Sequence, residues 1–84
     1  MITPDEQLQL KELFGYEYAE AVSDILEERG IRNRNGHPHQ LPYIRKVFQA
    51  KSTNIDVEAT IWELAKRRKK EAAKAEKLKR EILT

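Results

Sequence analysis

The feature that most restricts the fold is a stretch of 28 residues, Ile55 to Ile82, that contains neither Gly nor Pro. Thr53 or Asn54 stands before it as a candidate N-cap, and Asp56 places a negative charge in the first turn, where the helix dipole favours it. From Lys66 onward most residues are good helix formers, and with no Gly or Pro in the stretch we predict one helix of about 42 Å. It takes a third of the 84 residues, which leaves room for one small domain.

This long helix changes character halfway along. Its first half carries the residues that we expect in the core: Ile55, Val57, Ala59, Ile61, Trp62, Leu64 and Ala65. Trp62 in particular is expected to be buried against the first two helices. From Lys66 the sequence KRRKKEAAKAEKLKREILT has little apolar surface, and Arg68 and Lys79 interrupt its heptad spacing, so it is a weak coiled coil. We expect residues 66–84 to form a basic extension of a domain made by residues 1–65.

Three shorter helices are predicted before the long one. The first ends at Phe14, before Gly15, and Thr3, Pro4 and Glu6 give it a capping box with Pro at the first helical position. The second spans residues 16–29, stops at Gly30 and has an acidic outer face. The third spans residues 41–49, with Pro42 in its first turn and Leu41, Ile44, Val47 and Phe48 on one face. The predicted fold class is therefore all-α, with four helices.

Residues 31–40 are predicted to form a loop with a tight turn. Asn35-Gly36 is a strong turn dipeptide, and the run Asn33 to Gly36 is rich in residues that tolerate positive φ. Ile31 is the one apolar residue in the loop and is expected to anchor it to the core. The same Asn-Gly turn could also close a small β-hairpin, a two-stranded ribbon, but the residues on either side of the turn are poor strand formers.

Charge is distributed very unevenly along the chain. Residues 1–28 hold eight acidic residues and one basic residue, whereas residues 29–51 hold six basic residues and no acidic one. The six are Arg29, Arg32, Arg34, Arg45, Lys46 and Lys51. A basic turn followed by a short helix is typical of a nucleic-acid-binding surface. The formal net charge of only +2 conceals this polarity.

The outer face of the third helix has the side chains that read a major groove. Arg contacts guanine edges, Gln contacts adenine, and Lys and Tyr hold phosphates. We predict that Gln40, Tyr43, Arg45, Lys46 and Gln49 enter the groove and that Arg32, Arg34, His37, His39 and Lys51 hold phosphates. An ordinary solvated helix surface is the alternative interpretation.

The basic run Lys66–Lys70 has three interpretations. It is a solvated helix surface, or it is a second phosphate-binding patch formed by Lys66, Arg67, Lys69 and Lys70. A polybasic membrane contact is less favoured because no apolar face accompanies the charges.

Other classes of function find little support in the sequence. There is no Cys, and His37 and His39 lack a third ligand nearby, so we expect no metal and no cofactor. Ser23 and Ser52 belong to no catalytic motif, and the carboxylates have the spacing of solvated helix faces, so we expect no enzymatic activity and no small-molecule substrate. The longest apolar runs are two or three residues, and no signal peptide is visible, so we expect a cytoplasmic protein without membrane contact.

The run LEERGIRNRNGHPHQLPYIRKVF, residues 26–48, resembles the helix-turn-helix segment in the DNA-binding domain of large serine recombinases. The matching positions are Leu26, Gly30, Ile31, Arg32, Arg34, Gly36, Pro38, Ile44, Arg45, Val47 and Phe48. His39 stands where that family usually has Trp, and Leu41 and Pro42 replace small polar residues. The resemblance covers about 23 residues of the chain. It implies that the third helix is a recognition helix and that the Arg32–Pro38 turn lies close to the DNA backbone, but it does not imply recombination.

A looser resemblance, carried by YIRKVFQAKSTN at residues 43–54, is to small phage and bacterial helix-turn-helix regulators of the repressor and excisionase kinds. We therefore predict that the protein binds double-stranded DNA in a sequence-specific way and is a small transcriptional regulator of bacterial or phage type. A short recognition helix reads few bases alone, so we expect a homodimer or a protein partner, engaged through the last helix. The alternative is a protein-interaction module that uses the acidic first half and the basic last helix. RNA binding is a weaker option, since few aromatic residues are available for stacking.

Overall fold

A computed structural model describes residues 1–15 and 17–83 of the protein. Four α-helices follow one another: α1 (Pro4–Phe14), α2 (Tyr18–Glu28), α3 (Leu41–Phe48) and α4 (Ile55–Leu83). The described residues contain no β-strand, so the all-α prediction is confirmed and the two-stranded ribbon is not formed there. The predicted start of the second helix, Tyr16, lies outside the described residues.

The core is formed where α1, α2 and α3 pack against the first half of α4. Phe48 of α3 is fully buried and lies near the centre of an aromatic cluster, with its ring centroid 4.4 Å from Tyr18 and 6.3 Å from Phe14. The buried apolar residues are Ile2, Leu10, Phe14, Ala19, Val22, Ile25, Leu26, Ile44, Val47, Phe48, Val57, Ile61 and Leu64. Burial of these side chains is the main force that holds α3 in its orientation.

The predicted capping box of α1 is present. The backbone N–H of Glu6 donates to Thr3 Oγ1 at 3.2 Å, and the backbone N–H of Thr3 donates to Glu6 Oε1 at 2.9 Å. These bonds satisfy amide groups that the first turn leaves free. They favour the charged carboxylate, so the pKa of Glu6 is lowered, chiefly by the backbone hydrogen bond from Thr3. The helix ends at Gly15, where φ is +71°.

Helices α2 and α3 end in the same way. At the end of α2, the N–H of Ile31 donates to the Leu26 carbonyl at 2.9 Å, and Gly30 adopts a φ of +66°. At the end of α3, the N–H of Lys51 donates to the Lys46 carbonyl at 2.9 Å, and Ala50 adopts a φ of +60°. Both ends are Schellman motifs, which place a left-handed residue just after the helix. Sequence indicated the first of these stops through its glycine but gave no sign of the second.

Several burial predictions were wrong. Trp62 is 42% exposed, because it lies one residue, about 100°, around α4 from buried Ile61 and so sits at the edge of the core. It lines a groove between α1 and α4 with Leu10 and Leu13 rather than packing beneath α1 and α2. Ile55 and Ala59 are also exposed, on the side of α4 that faces away from the other helices. Leu8 of α1 is exposed as well.

Two residues that the pattern did not place in the core are buried. Ile2 is 1% exposed although it precedes α1, and the adjacent N-terminal ammonium of Met1 pairs with Glu58 at 2.7 Å. Thr60 is fully buried, and its hydroxyl donates to the carbonyl of Asp56 at 2.7 Å, so its polar group is satisfied within the helix. The segment before α1 is thus fastened to α4.

The second half of α4 projects away from this body. Every residue from 69 to 83 is exposed, so about 22 Å of the helix has no other helix beside it. The long dimension of the molecule, 54 Å against 28 and 18 Å, reflects this projection.

Candidate nucleic-acid interface

The loop between α2 and α3 is organised by Asn33. Its side-chain Oδ1 accepts hydrogen bonds from the backbone N–H groups of Asn35 and His37, both at 3.0 Å. Its backbone carbonyl accepts from the N–H of Gly36 at 3.0 Å, and its own N–H donates to the His37 carbonyl at 2.7 Å. Gly36 has a φ of +79°, as the predicted Asn-Gly turn requires. Four hydrogen bonds therefore fix the turn that carries Arg34 at its exposed tip.

The loop is also fixed at its start. Ile31 is partly buried and packs against the core, as predicted, and its N–H closes the Schellman motif of α2. Arg32 follows immediately and is exposed. Because the chain is held at Ile31 and again at Asn33, the side chain of Arg32 projects from a defined backbone.

The third helix has one buried face and one exposed face. Ile44, Val47 and Phe48 are completely buried, whereas Arg45 and Lys46 are exposed between them. Pro42 in the first turn is exposed too, as are three residues that flank the helix: Gln40 before it, and Gln49 and Lys51 after it. The amphipathic pattern predicted this division, and it leaves the polar face free to approach a ligand.

Tyr43 connects this face to the start of α4. Its hydroxyl accepts a hydrogen bond from Asn54 Nδ2 at 3.4 Å, while Asn54 Oδ1 accepts from the backbone N–H of Val57 at 3.1 Å and caps α4. The His39 ring stacks on Tyr43, with centroids 5.3 Å apart and an angle of 15° between the planes. Of the two predicted caps of the last helix, Asn54 is therefore the one used.

A cleft of about 360 Å³ lies at the beginning of α3. Its lining comprises Asn33, Arg34, His39, Gln40, Tyr43 and Asn54. Arg34, His39, Gln40 and Tyr43 were predicted site residues, and the structure brings these four together. Asn33 and Asn54 were not predicted there, because their sequence context indicated only a turn and a helix cap. The cleft offers an Arg, stacked rings and amide groups, which together can bind a phosphate or a base edge.

The basic residues of this region differ in whether they are paired. Arg29 lies with its Nη2 3.7 Å from Glu63 Oε2, so it joins α2 to α4. The remaining five have exposed side chains, and none forms an ion pair with an acid among residues 1–15 and 17–83. They are Arg32, Arg34, Arg45, Lys46 and Lys51. The unpaired positive charge is thus concentrated on the turn and on α3.

Tyr18 lies beneath the basic face of α3. Its ring is in contact with Phe48, and its burial raises the pKa of the phenol, while the positive charge of Arg45 acts in the opposite direction. Burial is the larger effect, so the phenol stays neutral at physiological pH and adds no negative charge beside Arg45.

The four residues of the predicted second phosphate patch lie in different surroundings. Arg67 Nη2 lies 3.5 Å from Glu28 Oε2, and Arg67 Nε lies 3.4 Å from Glu63 Oε1, so its charge is shared with two acids. Lys66 and Lys69 are exposed beside the groove that contains Trp62, and Lys70 is exposed further along. Lys66 comes 12 residues after Asn54 in the chain, about 18 Å along the helix, so this patch is separate from the surface on α3.

Within the part of the chain that the structure describes, no three residues of the His, Cys, Asp and Glu types cluster closely enough to hold a metal ion. None of the described helices has both the length and the apolar composition that crossing a bilayer requires.

Comparison of the chain with protein-family models, with curated proteins and with solved structures finds no match.

Proposed function

We propose that this protein binds double-stranded DNA, with α3 in the major groove and the turn at Asn33 against the backbone. The observation that carries the proposal is the unpaired basic surface on the turn and α3. Five exposed basic residues lie there, on elements whose opposite faces are anchored in the core. Such a surface attracts phosphates, and its rigidity limits the conformational entropy that binding costs.

The residues divide by role according to where they lie. Arg45 lies on the exposed face of α3, and Gln49 follows four residues later, just after the end of the helix, a spacing suited to two neighbouring base pairs. Gln40, Tyr43 and Lys46 complete the groove-facing set. Arg32, Arg34, His37, His39 and Lys51 surround α3 and are suited to phosphates. Helices α2 and α3 then form a helix-turn-helix unit with a longer loop than the usual three or four residues.

We further propose that the protein is a sequence-specific regulator of transcription of bacterial or phage type. Its small size and single short recognition helix suit a factor that acts as a homodimer or with a protein partner. This assignment follows the resemblance of residues 26–48 to recombinase helix-turn-helix segments.

The test is a titration of the protein with labelled duplex DNA from about 50 to about 200 mM salt. Wild type is expected to bind with a negative dependence of log affinity on log salt. The variant Arg45→Ala/Lys46→Ala is expected to bind at least about tenfold more weakly, with a shallower slope, because two positive charges are removed from the DNA-facing helix.

The matched control is Lys77→Ala/Lys79→Ala, which removes the same charge from exposed positions on α4 outside both predicted basic patches. It is expected to keep most of the wild-type affinity. Absence of binding by wild type would overturn the proposal. Equal losses of affinity in the two variants would show that binding depends on total positive charge rather than on a surface formed by α3, and would also overturn the proposal.

A protein-interaction module remains the second candidate, and the groove between α1 and α4 favours it. Trp62 is 42% exposed there beside Leu10 and Leu13, and Glu6, Glu12, Lys66 and Lys69 surround it. A half-exposed Trp in a groove is a common anchor in protein interfaces. Binding through this groove should respond weakly to salt and strongly to Trp62→Ala, which distinguishes it from DNA binding on α3.

A further inference from the structure

The face of α4 that packs on the core continues into the projecting half of the helix. Alternating steps of four and three residues along this face give Val57, Ile61, Leu64, Arg68, Glu71, Ala75, Leu78 and Ile82. The first three are buried beneath the other helices. Leu78 and Ile82, on the same face, are 50% and 80% exposed. Beyond Arg68 and Glu71, the face that stabilises the body is therefore apolar again, and there no other helix covers it.

The projecting half has little to stabilise it in isolation. An unsupported helix of about 15 residues is marginal in water, even when its sequence favours helix. Covering Ala75, Leu78 and Ile82 removes apolar area from water, which is favourable in proportion to the area buried. A second helix with the same stripe would provide such a cover.

We propose that two copies of the chain associate through residues 71–82 of α4, which pair as antiparallel helices. In this register Ala75 of each copy faces Leu78 of the other, so a small residue meets a large one at both central positions. Ile82 of each copy then faces the aliphatic part of Glu71 near the end of the other helix. The short apolar segment predicts a weak, concentration-dependent dimer rather than an obligate one.

Charge complementarity selects the antiparallel direction. In the antiparallel register Lys74 beside the stripe faces Glu81 of the second copy, and the twofold axis makes this pair twice. In a parallel pair Lys74 would instead face Lys79 of the second copy, and both contacts would be repulsive. The lysines on the opposite face of the helix, Lys66, Lys70 and Lys77, point away from the contact in either case.

The first test is the oligomeric state of the full chain, measured by sedimentation equilibrium from micromolar to millimolar concentration. Wild type is expected to show a reversible monomer–dimer equilibrium. Leu78→Lys is expected to raise the dissociation constant at least about tenfold, because it places a charge in the apolar contact. Ala73→Lys, which adds the same side chain on the opposite and equally exposed face, is expected to leave association unchanged.

Both substituted positions are exposed and beyond the core, so circular dichroism should show a folded body in each variant. A wild-type chain that stays monomeric over the whole range would overturn the proposal. So would a dimer that Leu78→Lys leaves intact.

The direction of the helices is tested by exchanging charges. Lys74→Glu and Glu81→Lys are each expected to weaken the dimer, and the double variant is expected to restore it, since the exchanged pair attracts again. In a parallel dimer Lys74→Glu would strengthen association by meeting Lys79 of the second copy. That result would overturn the antiparallel arrangement. The dimer does not depend on DNA, so failure of DNA binding and failure of association are separate outcomes.

Discussion

Ala50 holds a backbone conformation that its side chain disfavours. Its φ of +60° lies in the left-handed region, where a residue with a Cβ costs about 1 kcal/mol more than Gly. The hydrogen bonds that end α3 require this conformation, and Gly30 occupies the equivalent place after α2. The link from the basic face of α3 to the start of α4 therefore includes a strained residue.

Ala50→Gly is expected to raise the free energy of unfolding by about 0.5–1 kcal/mol, because Gly adopts this φ without a Cβ clash. Urea denaturation at constant pH measures the change. Gly30→Ala is the matched variant and should lower stability by about 1 kcal/mol. No neighbouring atom lies within 4 Å of an added Cβ at Gly30, so that loss would come from the backbone alone. A loss of stability in Ala50→Gly would contradict the left-handed assignment.

Residues whose structural role is local could be predicted from sequence. The capping box at Thr3, the stop at Gly30 and the turn at Asn35-Gly36 each depend on a few adjacent residues. Trp62 and Ile2 could not be placed, because their exposure depends on how α1 lies against α4. Periodicity identifies an apolar face, but the crossing of two helices decides how much of that face is covered.

At the scale of the elements, α2 and α4 are joined by charged groups as well as by the core. Arg29 pairs with Glu63, and Arg67 pairs with Glu63 and Glu28. Arg68 and Glu71 line the adjoining groove with residues of α2. Contacts with the body therefore continue along α4 past residue 65. Arg67, predicted in the second phosphate patch, and Arg29 of the basic segment both belong to this junction.

Two shortened chains test where the body ends. A chain that stops after Lys70 is expected to keep the free energy of unfolding of the full-length monomer, because residues 71–83 are all exposed. A chain that stops after Ala65 is expected to have a free energy of unfolding lower by about 1 kcal/mol or more. It lacks the ion pairs of Arg67, and its shortened helix frays close to the buried Leu64. Thermal unfolding at low protein concentration, where the proposed dimer is dissociated, measures both. Equal stability of the two chains would show that the Arg67 junction contributes nothing.

For the site as a whole, the sequence supplied the side chains but not their grouping. The exposed face of α3 followed from periodicity, because the buried and polar residues alternate with a helical period. The cleft at the start of α3 did not, since it needs Asn54 from the next helix to lie beside Tyr43 and His39 to stack on that ring. Both contacts depend on the paths of the segments before and after α3, which periodicity does not predict.

At the scale of the whole molecule, acidic and basic residues lie on different parts of the structure. The acidic helices α1 and α2 support the body. The basic residues without an ion pair, on the turn and on α3, lie near the start of α4. The far half of α4 projects and carries its own lysines. The acids on α2 are repelled by phosphate, which favours an approach of DNA from the side of α3. The proposed DNA-binding surface on α3 and the proposed dimer contact on the far half of α4 therefore lie on separate parts of the molecule.

The measurement that tests the central claim most directly is residue-by-residue mapping of backbone amide signals by NMR as duplex DNA is added at low salt. We predict that the largest changes fall within residues 32–51, on the turn and on α3, and that α1 changes little. Raising the salt should reverse these changes. Changes concentrated in residues 66–83, or no changes at all, would contradict the claim that α3 is the DNA-facing element.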